Sequence, residues 1–140
     1  MFGMEDLTEP QEMQDKATIG YFMLSLMQIA DQAKIIHWQT GLDTEHRHFG
    51  MFYEEFIGQM DTIVEAIAGK YGSQNLKFGE AAIMIYDYEM AMPVFFELVN
   101  DALRGTFKNL FDREEDSELY NLADEILDLS NKTQYLLQLK

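Results

Sequence analysis

Three histidines and the sole tryptophan of this chain fall within twelve consecutive positions, in the stretch HWQTGLDTEHRH from His37 to His48. Two carboxylates, Asp61 and Glu65, follow at an i, i+4 spacing that puts them on one helix face. Neutral imidazole nitrogens and carboxylate oxygens are ligands for first-row metal ions, so the chemistry these residues suggest is metal binding. With no cysteine in the sequence, thiolate metal sites, disulfides and thiol nucleophiles are excluded together.

Spacing restricts how these groups combine. His46 and His48 lie two positions apart, about 200° around a helix, so only one of them can join His37 across a short helix-helix turn. Asp61 and Glu65 can hold one hard cation or bridge two. His46 and Asp61 are separated by fifteen positions, about 22 Å along a helix, whereas metal bonds to such ligands are only about 2–2.5 Å long. One chain therefore cannot place both groups on one ion, but a two-fold dimer can. Two antiparallel copies of this helix crossing near Glu54 and Glu55 bring His46 of one level with Asp61 and Glu65 of the other, twice per dimer. Gly50 and Gly58 bracket that crossing and would permit close approach of the helices.

The elements that must position these residues are helical. Ile19, Phe22, Met23, Leu26, Ala30, Ala33, Ile36 and His37 step by three or four and predict a first helix from about Glu9 to Thr40, ended by Gly41. Asp43 or Thr44 is placed to cap a second helix, with Phe49, Phe52, Phe56, Met60, Ile63 and Ile67 inward, Lys70 near its end and Gly72 as its stop. Residues 73–92 form a long crossover in which FGEAAIMIYDY predicts a short helix. Pro93 is expected to open a third helix with Phe96, Leu98, Val99, Ala102, Leu103, Phe107 and Leu110 inward. Leu119, Leu122, Ala123, Ile126, Leu129, Thr133 and Leu136 mark a fourth. The fold class is all-α, and four amphipathic helices with one long central connection describe a ferritin-like four-helix bundle, with the short helix in the crossover between helices 2 and 3.

Length fits one domain, residues 1–140, with residues 1–8 as a flexible acidic N-terminus. No apolar run approaches a membrane span and no leader pattern opens the chain, so a cytoplasmic protein without membrane contact is expected. The net charge of −15, with five acids and one lysine in the first sixteen residues, argues against a nucleic-acid surface. A carboxylate surplus serves solubility, or it concentrates cations in a pore or cavity.

The set His37-Trp38, Gly41, His46, Phe49, Tyr53, Asp61 and Glu65 resembles the Dps miniferritins (DNA-binding proteins from starved cells). The stretch DSELYNLADEILDLSNKTQYLLQL resembles the C-terminal helix of that family. The resemblance spans nearly the whole chain, with residues 73–92 poorly matched. It implies a four-helix subunit assembled through two-fold dimers into a hollow homododecamer. The implied site is a ferroxidase centre with His37 and His46 from one subunit and Asp61 and Glu65 from its partner. The implied activity is oxidation of Fe(II) by peroxide or oxygen, then ferric storage in the cavity. Iron is the implied metal, with zinc or manganese also suited to such ligands. Trp38 would serve as an electron donor beside the site, or else as an amphipathic surface anchor. Three features depart from the family pattern. The turn between the two histidines is three residues shorter, Gly50 stands where the family carries a carboxylate, and the acidic N-terminus speaks against DNA binding. A structural ferritin-like oligomer with a degenerate metal site is the alternative.

Overall fold

A computed structural model describes residues 18–139 and is all-helical, with four helices among the described residues. The expected flexible segment 1–8 and the expected helical residues 9–17 lie outside the described residues. Helix α1 spans Ile19–Gln39, and the Thr18 hydroxyl caps it by accepting from Tyr21 N–H at 3.1 Å. Helix α2 spans Asp43–Tyr71, about 43 Å at 1.5 Å per residue. Helix α3 is a rod over residues 88–110 made of five short helical segments in succession, and α4 spans Ser117–Gln138.

Helix α2 packs against α1 and α4, while α3 packs against α1 and reaches α4 through its middle, residues 95–106. Thus α2 and α3 sit diagonally across the bundle. They also run in the same direction, since both begin beside the C-terminal end of α1: α2 after a three-residue turn, α3 where Tyr88 N–H donates to Gln39 Oε1 at 2.7 Å. The chain must therefore climb the length of the bundle between them. After a 3-10 turn at Ser73–Leu76 it does so as irregular, non-helical backbone over residues 77–87, with a bend at Gly79, not as the helix expected for FGEAAIMIYDY.

A ladder of glutamines on one face of α1 holds this ascent. Gln28 donates to the Met84 carbonyl at 2.9 Å. Gln32, fully buried, donates to the Tyr86 carbonyl at 2.8 Å and accepts from Tyr86 N–H at 2.9 Å. Gln39 donates to Asp87 at 3.0 Å. A primary amide presents the same donor-acceptor pair as a peptide, so Gln32 supplies what a neighbouring strand would otherwise supply. Gly20 completes the contact: a Cβ there would stand 2.7 Å from the Lys77 carbonyl oxygen.

Core residues from all four helices form one cluster, with Phe22, Phe49, Phe52, Phe56, Phe95 and Phe107 fully buried. In α3 the buried residues Phe95, Val99, Leu103, Phe107 and Phe111 recur strictly every fourth position. On a regular α-helix that repeat drifts by about 40° per step, so five such residues cannot share one face. The π-helical turn Asp101–Thr106 is wider than an α turn and absorbs the drift. Pro93 does not open α3 as expected; it lies inside a 3-10 segment, Met92–Val94, one turn beyond the start at Tyr88.

At the opposite end an ionic clasp joins α2 to α4. Asp116, 2 % exposed, lies 2.8 Å from Lys70 Nζ, accepts from the Tyr71 hydroxyl and accepts from Asp112 N–H at 2.9 Å. Burial pushes its carboxyl upward, but the hydrogen bonds from Lys70, Tyr71 and the backbone outweigh this and hold it below the usual carboxylate range. The same bond to Asp116 raises Lys70 to about 12.

Two outcomes follow from these contacts. Replacing Gln32 with Leu strands the Tyr86 amide and carbonyl, so the denaturation free energy should fall by about 1–3 kcal/mol. Gln28→Leu, at a more exposed rung, should cost less than about 1 kcal/mol; equal midpoints for Gln32→Leu and the parent chain would contradict the ladder. Because Asp116 is depressed in the native state, its contribution is full above the ordinary carboxylate pKa and is lost as pH falls through the native value. Asp116→Asn should therefore flatten the acid limb of the stability-pH curve; an unchanged limb would discount the clasp.

Candidate metal centre

The turn that brings the histidines together is only three residues long. Helix α1 ends at Gln39 with Thr40 as its C-cap, and α2 begins at Asp43 with Leu42 as its N-cap. Neither Asp43 nor Thr44 caps α2 as expected; Asp43 is already in the first turn, 3.4 Å from Arg47. Nor does Gly41 stop α1 in a left-handed conformation, since the positive φ values belong to Gly72 and Gly79. Side chains fix the turn instead. Thr40 Oγ1 accepts from Leu42 N–H at 3.1 Å and donates to Glu45 at 2.6 Å, and the Tyr88 hydroxyl donates to the same carboxylate oxygen at 2.6 Å. The bond to Glu45, and then burial, push the Tyr88 phenol above its ordinary value.

Across this turn His37 and His46 stack, with ring centroids 4.0 Å apart and planes inclined by 14°. Each ring turns its Nδ1 to the other residue's main chain. His37 Nδ1 lies 2.5 Å from the His46 carbonyl oxygen, and His46 Nδ1 lies 2.9 Å from the His37 carbonyl oxygen. A carbonyl only accepts, so both Nδ1 atoms carry the proton, and Nε2 of each neutral ring keeps its lone pair. That is the arrangement by which proteins orient a metal-binding imidazole. The His37 carbonyl belongs to the last turn of α1, where no helical N–H reaches it, so His46 also satisfies an orphan acceptor.

Gly50 makes the stack possible. A Cβ at position 50 would stand 2.8 Å from His37 Cε1 and 3.0 Å from Nδ1. The space expected to admit a partner helix at Gly50 is thus filled by His37 of the same chain, whereas Gly58 is open. His46, not His48, is the histidine that joins His37.

Asp61 and Glu65 are both exposed and lie on the same unbroken helix as His46, about 22 Å away at fifteen residues. Among the described residues no group of three or more His, Asp or Glu is close enough to hold a metal ion. The structure therefore brings together two of the four expected ligands and leaves two at a distance. The geometry of the pair is also specific. In-plane lone pairs of two nearly parallel rings do not converge, so an ion in the plane of one ring lies well out of the plane of the other. As built, the stack offers one nitrogen to each of two ions and does not chelate one.

Trp38 projects to solvent, 65 % exposed, on the outer surface beside the stack. Lys34 Nζ sits 5.4 Å from the centre of its ring and 4.5 Å from the ring of Tyr53, a cation between aromatic faces of two helices. Glu45, considered from sequence with Asp43 and Glu54 as a substitute carboxylate for position 50, instead accepts from Thr40 and Tyr88, while Tyr88 and the spatial role of Gly50 were not foreseen. The only hint was Gly50 four positions after His46, on the same helix face.

Residues 37–137 match a family described as a family of unknown function (DUF5856). The chain belongs to that family. The matched span opens on His37 itself and takes in the histidine stack, all of α2, the crossover, α3 and nearly all of α4. No curated protein and no solved structure matches the chain.

At pH 8, long-range proton-nitrogen correlation spectra should find both His37 and His46 as Nδ1–H tautomers. In Gly50→Ala the added methyl should drive the His37 ring off the His46 carbonyl and shift both patterns. Nε2–H tautomers in the parent chain would refute the reciprocal hydrogen bonds.

Proposed function

We propose that this chain is the subunit of a ferritin-like, iron-handling assembly that oxidises Fe(II) at sites shared between two-fold-related copies and stores the ferric product. The observation that carries this reading is the pair of oriented imidazoles, His37 at the end of α1 and His46 at the start of α2, with an exposed Asp61 and Glu65 farther along α2 that no single chain can bring to them. Two antiparallel copies of α2 crossing near Glu54 and Glu55 bring the two half-sites level. Bundle topology is in keeping with it, since parallel α2 and α3 joined by one long connection are the ferritin-like arrangement. The resemblance to Dps miniferritins supplies the reaction class and the expectation of a closed shell of twelve.

In such a site Fe(II) is the substrate. Two Fe(II) ions give up two electrons to one peroxide, which takes up two protons and leaves as two waters. Imidazole and carboxylate ligands would hold the ions with open positions, and two nitrogens in separate planes suit two ions better than one. Trp38, beside the stack, would supply an electron to any oxidant that escapes. Zinc or manganese would fit the same donors. DNA is not a partner in this reading, given the net charge of −15. No helix among the described residues is long and apolar enough to cross a membrane, and a cytoplasmic location is part of the proposal.

A second reading has its own support. The reciprocal bonds and the Gly50 fit also serve as a metal-free clasp between α1 and α2, as in a structural oligomer without ferroxidase activity. Anaerobic Fe(II) mixed with peroxide separates the two. Ferric absorbance should rise at least tenfold faster with the parent chain than with Asp61→Ala/Glu65→Ala, and His46→Ala should be slowed likewise. Equal rates for all three would leave only the structural oligomer. Scattering mass should show an assembly of two-fold dimers, and a monomer would overturn both readings.

A further inference from the structure

The chain holds 25 acidic residues against ten Lys and Arg, yet three of the ten gather at one cavity. Arg104 and Lys108 stand one turn apart on α3, and Arg113 follows in the α3–α4 connection. All three line a cavity of about 500 Å³ between α3 and α4. None of them makes an ion pair with any described residue, in a molecule whose carboxylates outnumber its cations. Asp124 on α4 is the one acid in the lining, which leaves two positive charges in excess.

The floor of the cavity is apolar and comes from the core itself. Leu103 and Phe107 reach it from α3, and Ala123 and Leu127 from α4. Tyr120 forms one wall, its hydroxyl spent on the Phe111 carbonyl at 2.8 Å, so the wall offers a ring face and not a polar tip. The Arg113 guanidinium lies 5.3 Å over that ring, and Arg104 Nε is 3.3 Å from Asn100 Oδ1. Both guanidinium groups are thus oriented by neighbours, and no described residue gives their terminal nitrogens a counter-charge. The π-helical turn Asp101–Thr106 forms one side of the cavity, and such turns recur at functional sites because they displace one residue from helical register.

We propose that this cavity binds a small organic anion, a phosphate, sulfonate or carboxylate head on a flat apolar body. The head lies between Arg104, Lys108 and Arg113, and the body lies on Leu127 beside the edge of the Tyr120 ring. A concave apolar lining with a few convergent charged groups is what recognises such molecules, and guanidinium pairs are suited to planar oxyanions. The site is separate from the histidine stack and does not rest on the iron reading.

Anilinonaphthalene sulfonate is the probe, titrated by fluorescence into the full chain, with neutral N-phenylnaphthylamine alongside. The sulfonate should show a component saturating at one per chain that the neutral probe lacks and that added salt weakens. That component should weaken at least tenfold in Arg104→Gln/Arg113→Gln, tighten in Asp124→Asn and stay unchanged in Arg47→Gln. Equal titrations for the parent and the double variant would overturn the site. So would a change in assembly mass in the double variant without loss of the component, since the cations would then serve a contact between copies.

Discussion

Running α2 and α3 in the same direction is the constraint on which the rest of this bundle depends. It obliges the chain to travel the full height of the bundle outside any helix, where backbone amides and carbonyls have no partners of their own. The glutamine ladder of α1 answers that need, with buried Gln32 pairing both polar groups of Tyr86. The ascent then delivers Tyr88 to the top of the bundle, where its hydroxyl reaches Glu45 and braces the α1–α2 turn. The crossover and the histidine stack are in this sense one construction. A loose ascent would release Tyr88, and with it one of the two side chains that hold Glu45 in the turn.

Helix α2 and helix α4 were legible because their inward residues follow the 3.6-residue period, and Phe49, Phe52, Phe56, Ile63 and Ile67 are all buried. The crossover was not. FGEAAIMIYDY contains good helix formers, and propensity alone favours a helix there. What overrides it is a partner 54 residues away in sequence, a glutamine that no local pattern marks as buried. The strict four-residue repeat in α3 was present in the sequence, and a drift of about 40° per step already signals that a regular α-helix cannot bury all five residues. The end of α1 near Thr40 and the stop of α2 at Gly72 stand as expected, but the caps at the α1–α2 junction were misjudged for a related reason. Glycine and Asp/Thr signals describe helices that end alone, whereas here Thr40, Glu45 and the two imidazoles satisfy the termini from across the turn.

Of the candidate site, the short turn made legible that His37 meets one of His46 and His48, with the choice of His46 left to the resemblance, and the spacing made legible the separation of Asp61 from His46. The tautomers were not, because they depend on which carbonyl each ring meets. That detail changes the chemistry. Imidazoles with Nδ1 tied to the main chain are held in orientation without a metal, so a ligand arriving at Nε2 finds little ordering left to impose. Near-parallel planes also keep the two nitrogens from converging on one point, so in the proposed site two ions would suit them better than one.

The short α1–α2 turn and Gly50 are, physically, one feature. A turn of three residues holds the end of α1 against the first turns of α2 and lays His37 over the backbone at position 50. With a Cβ only 2.8 Å from Cε1, any side chain there would expel the ring. The stack and a carboxylate at position 50 are mutually exclusive at this turn length, so Gly50 is the condition on which the short turn can keep its two histidines together. Among the described residues no third His, Asp or Glu completes a metal site with the two imidazoles. In the proposed assembly the carboxylates that hold a cation at this stack would therefore come from a partner copy.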